Sequence, residues 1–138
     1  MMKRFIENTL ESNWLWWVAR LLILAMFIAS GLAKLIDFEG GMAVMREAEL
    51  HPDWLFNIAT IVVLLAGSIL ILSDRLVWLG AGMLSVFLIL IIFLVHTFWL
   101  FSGEKAENAL NFVFEDIAVI GGLIAVAIIS HLRKKLKA

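Results

Sequence analysis

Five side chains in this 138-residue sequence could exchange protons or hold a polar ligand: Lys34, His96, Asn111, Glu115 and Asp116. All stand within otherwise apolar stretches. An ionised group at the centre of a membrane helix costs about 2.5–3.5 kcal/mol on insertion scales, so each one needs a partner or a purpose. The chemistry open to this set is ion pairing, proton transfer, or hydrogen bonding to a polar headgroup. The absence of cysteine removes thiolate catalysis, iron–sulfur ligation and most structural zinc sites. His51, His96 and His131 are expected in an outer loop, the outer membrane third and the inner end, so no two could ligate one metal. Neither a metal nor an intrinsic cofactor is expected, and with no tyrosine and no histidine pair the chain brings no redox or catalytic centre of its own.

The elements that must position these groups follow from composition. With 63% hydrophobic residues, 17% charged residues and a mean hydropathy of +1.00, the chain is far more apolar than a water-soluble domain, which averages about 45–50% apolar. The fold class expected is an all-α membrane protein: a four-transmembrane-helix bundle with spans at about 14–36, 54–73, 76–101 and 108–132. Residues 1–13 read as a cytoplasmic amphipathic segment, residues 74–75 as a tight turn, 102–107 as a short loop and 133–138 as a basic cytoplasmic tail. Within the polar stretch 37–53, Ala43 to Leu50 could form a short interfacial helix that Pro52 would stop. Trp14, Trp16 and Trp17 mark an interface, because indole rings favour the headgroup level. Arg20 is expected to be a snorkelling lipid anchor that lysine could replace, with anionic-lipid binding as the alternative. The paired glycines Gly80-x-Gly82 and Gly121-Gly122 read as packing residues.

Lys and Arg accumulate on the cytoplasmic side of membrane proteins. Lys3, Arg4, Arg75, Arg133, Lys134, Lys135 and Lys137 fall on one side of this topology, whereas only Arg46 and Lys105 fall on the other, among acids. Both termini are therefore expected inside. A cleavable leader is the competing reading of the start, and Glu7 and Glu11 count against it. The positive charges sit at the termini and form no footprint for nucleic acid; the partners expected are the bilayer, redox subunits or further copies of the chain.

In this topology Lys34, His96, Glu115 and Asp116 share one depth. Asn108, Asn111 and Glu115 follow i, i+3, i+7 on one helix face that continues through Ala118, Gly122 and Ala125, and small residues mark packed membrane surfaces. Glu115 is accordingly expected to point into the bundle. Two readings follow. Lys34 and Glu115 could form a buried ion pair that fixes helix register, with His96 hydrogen-bonding nearby. Alternatively, Lys34, His96 and an acid could line a small outward-opening cavity for a ligand such as a quinone headgroup.

The stretches RLLILAMFIASGLAKLIDFEGG (Arg20 to Gly41), AGSILIL (Ala66 to Leu72) and HTFWLFSGEKAENALNFVFEDIAVIGG (His96 to Gly122) resemble the DoxX family of four-helix bacterial and archaeal membrane proteins. The resemblance implies a four-helix bundle in the cytoplasmic (inner) membrane and a link to quinol oxidase and thiosulfate:quinone oxidoreductase activities. Family members often carry a Glu where Leu64 stands here and a Lys-Asn pair where Glu115-Asp116 stand, so the intramembrane acid has changed helix. Three functions follow as expectations: an accessory or anchor subunit of a quinone-linked redox system, a small-solute or proton pathway, or an assembly partner for other membrane proteins.

Overall fold

The structure, a computed structural model, describes residues 1–137, and among these there is no strand. Six α-helices run in order: α1 (Met2–Leu10), α2 (Asn13–Ile36), α3 (Phe38–Glu47), α4 (Asp53–Leu72), α5 (Val77–Leu94) and α6 (Gly103–Lys137), with a short 3₁₀ turn at Phe98–Leu100. α2, α4, the stretch from α5 through the 3₁₀ turn, and α6 are each long and apolar enough to cross a membrane. α1 and α3 lie at opposite ends of the bundle.

Local chemistry sets the boundaries. Ser12 caps α2 by accepting from the Leu15 amide at 3.4 Å, and Asp37 caps α3 by accepting from the Gly40 amide at 3.0 Å. The Asp37 cap explains why the interfacial helix covers Phe38–Glu47 rather than 43–50: the helix starts as soon as a capping carboxylate is available, and it ends before Pro52 is reached. In the third span, α5 stops at Leu94 rather than near 101. There the Val95 and His96 amides both reach back to the Ile91 carbonyl, and the His96 side chain leaves for α6. In the fourth span, α6 is longer than expected at both ends, so most of the 102–107 loop and the basic tail through Lys137 are helical. Ala138, the last residue of that tail, lies outside the described residues.

α2 packs on α4, α4 on α5 and α5 on α6, while α2 and α6 touch over a shorter length. Each helix presents a heptad stripe: Trp16, Arg20, Leu24, Phe27 and Gly31 on α2; Asn57, Ile61, Leu64, Ser68 and Ile71 on α4; Ala109, Val113, Asp116 and Leu123 on α6. Lipid is as apolar as leucine, so association rests on close packing rather than on water exclusion. α4 and α5 approach backbone to backbone, where a Cβ on Gly80 would lie 2.7 Å from the Gly67 carbonyl oxygen. Gly82, by contrast, faces open space and Gly121 does too, so only one glycine of each predicted pair packs.

Candidate functional site

At the α3 end of the bundle, α2, α4 and α5 diverge around a cavity of about 450 Å³. Its walls are mostly apolar, with Phe27, Met45, Leu64, Leu88 and Ile91 among them, and its polar groups are Ser30, Lys34, Thr60, His96 and Asp116. α3 covers this end with Val44 and Met45. Two contacts hold α3 in place. Asn57, fully buried on α4, donates from Nδ2 to the Phe38 carbonyl at 3.3 Å. Arg46 donates to Asp53 at 2.7 Å and to Glu39 at 3.0 Å, and these bonds, the one to Asp53 foremost, raise the guanidinium pKa above its ordinary value.

The histidine and the second carboxylate form a pair. His96 Nδ1 lies 2.8 Å from Asp116 Oδ2, and the imidazole stacks on Phe112 with centroids 5.0 Å apart. The Asp116 side chain is 9% exposed, so the imidazole is its main partner in an apolar surrounding. With Asp116 ionised, Nδ1 carries the proton and donates it to the carboxylate. Nε2 is then an acceptor in the neutral ring and a second donor in the imidazolium. The pair can therefore meet either a hydroxyl or a carbonyl. Lys34, in the last turn of α2, donates to Ser30 Oγ at 3.0 Å and keeps two further N–H donors.

Two expectations about these residues are overturned. Glu115 does not pair with Lys34: it is exposed on the outside of α6, as are Asn108, Asn111, Ala118 and Ala125. The polar and small stripe therefore looks outward except at Gly122, which packs against Ile23 of α2, and Asp116 on the neighbouring stripe turns inward. The helix follows its apolar heptad, which Asp116 shares with Val113 and Leu123. Arg20 does not snorkel either. It is 5% exposed, donates from Nη1 to the carbonyls of Ile71 at 3.0 Å and Leu72 at 2.9 Å, and lies over the Trp16 ring at 4.8 Å. Those carbonyls belong to the last turn of α4, whose oxygens have no partner within the helix, so Arg20 caps a neighbouring helix. Trp16 is consequently core, with Arg133 over the same ring system at 5.6 Å; Trp14 and Trp17 remain exposed. Among the described residues, no three His, Cys, Asp or Glu side chains converge to hold a metal ion.

Residues 15–97, more than half of the chain, match the family model of DoxX. The chain belongs to the DoxX family. The matched DoxX region contains Arg20, Lys34 and His96 and ends before α6, so Asp116, the partner of His96, lies beyond it. No curated protein and no solved structure matches the chain. Sequence reasoning missed Ser30 and Thr60 on the cavity wall and Asn57 beneath α3. The signal for Asn57 was available: it opens the heptad run Asn57, Ile61, Leu64, Ser68, Ile71.

Proposed function

We propose that this DoxX-family membrane protein is an accessory subunit of a quinone-linked redox system and holds a quinone-class lipid in the cavity at the α3 end. It would sit in the bacterial cytoplasmic membrane with both termini inside and the cavity in the outer half of the bilayer. The observation that carries this reading is a largely apolar cavity of about 450 Å³ whose polar groups include Lys34 and the His96–Asp116 pair. Ligand pockets are commonly apolar, of about 300–1,000 Å³, with a few convergent polar groups that fix orientation. A quinone needs donors for its carbonyls and a quinol needs an acceptor for its hydroxyls. Lys34 supplies the first and the His96 ring, held by Asp116, supplies either.

The cavity favours a bound lipid-soluble molecule over a through-going solute or proton path. Leu24, Ile71, Leu84 and Leu123 are almost fully buried and fill the bundle between the cavity and the basic end. Extraction of the protein purified from native membranes, followed by chromatography of the organic phase, tests the reading. Quinone should co-purify with the native chain and be depleted in Lys34→Met. Quinone at the level of bulk membrane lipid in both would refute it.

A further inference from the structure

A second groove lies at the opposite, basic end, where α5 begins and α6 ends. We propose that it binds an anionic phospholipid, one acyl chain lying along the groove and the phosphate meeting the cations at its mouth. The groove is about 540 Å³ in volume, and Val77, Trp78, Ala127 and Ile128 contribute its apolar walls. Lys134 and His131 line it as well. The polarity is graded along the helix axis: the apolar residues come first and the cations follow within one or two turns. That is the order of a lipid, chain towards the bilayer centre and headgroup towards water.

Depth and charge single out this occupant. Trp78 is 67% exposed, and an exposed indole at the start of a span belongs at the headgroup level. Lys135 follows Ile128 by seven residues and His131 by four, so it stands on the same face of α6 and extends the cationic rim. Asp74 is the acid at this mouth. It accepts from Ser130 at 2.9 Å, and its backbone carbonyl accepts from Lys134 Nζ at 2.6 Å, so one acid faces two lysines and a histidine. An anionic headgroup balances that excess, since lysines at a membrane surface attract anionic lipid. A zwitterionic headgroup brings its own cation and does not.

The absence of cysteine allows a site-specific probe. Ile128→Cys, labelled with a fluorophore and placed in nanodiscs, reports whether brominated-chain phosphatidylglycerol approaches more often than brominated-chain phosphatidylcholine. Quenching should favour phosphatidylglycerol several-fold. The preference should fall to near unity in Lys135→Gln, which breaks no contact of the fold, and in Lys134→Gln. It should persist in Lys3→Gln, which removes the same charge from exposed α1, outside the groove. Equal quenching by the two lipids would overturn the proposal. So would equal loss of preference in all three variants, which would assign the effect to the overall charge of this end of the bundle.

Discussion

Arg20 shows how one side chain can differ from its expected role without leaving its expected place. The sequence places a lone arginine near the start of a span, and solvation alone would send its guanidinium to the interface. The structure turns it inward, onto the Ile71 and Leu72 carbonyls at the end of α4, the first of which also accepts from the Asp74 amide. The guanidinium also donates from Nε to the Trp16 carbonyl at 3.3 Å, and lysine, with a single ammonium at a different reach, cannot make this bond and the two to α4 together. Arg20→Lys should therefore lower stability in detergent by about 1–3 kcal/mol, the cost of buried polar groups left unsatisfied, which thermal unfolding would detect. An unchanged midpoint would restore the snorkelling role. For the carboxylates, single and double changes at His96→Ala and Asp116→Asn should show a coupling of about 0.5–3 kcal/mol. The corresponding cycle between Lys34→Met and Glu115→Gln should be additive, because Glu115 is exposed on the outside of α6.

At the scale of elements, the four spans were legible because apolar stretches of the right length leave few alternatives, and their predicted ends differ little from those of α2 and α4. The ends of α5 and α6 were not legible. Charged residues such as Glu104, Lys105 and Glu107 are good helix formers as well as loop residues, so composition alone does not separate the two. The inward face of α6 was misread for a related reason. A stripe of Asn, Glu and small residues competes with a neighbouring stripe of Ala, Val, Asp and Leu, and the first looks like a packing surface until the partner helices are in place. Glycines were ambiguous in the same way, since a spacing of two puts Gly80 and Gly82 on different faces. Gly80→Ala should destabilise the protein by about 1–3 kcal/mol, the usual cost of overpacking, because the added carbon meets the Gly67 backbone. Gly82→Ala should be close to neutral. Similar losses in both would mean that α4 and α5 do not approach as described.

For the whole molecule, the charge pattern and the cavity are linked by orientation. Positive residues gather at the α1 end and acids at the α3 end, so the positive-inside tendency would put the cavity in the outer half of the membrane. Single cysteines introduced at Lys105 and at Arg75, in a chain with none of its own, should be labelled by a membrane-impermeant maleimide from opposite sides, position 105 from outside. Labelling of position 105 from the cytoplasm would move the cavity to the other leaflet. The location of the polar groups was partly readable: Lys34, His96 and the acids of the fourth span share a depth in sequence. Which acid enters was decided only by the rotation of α6, a property of the packed bundle. The most direct measurement of the central claim is equilibrium binding of a short-chain benzoquinone to the purified protein in nanodiscs. Saturable one-to-one binding is expected, weakened roughly tenfold or more by Lys34→Met and by His96→Leu, since loss of a hydrogen bond to a charged group costs about 1.5–3 kcal/mol. Binding that does not saturate, or that both substitutions leave unchanged, would contradict it.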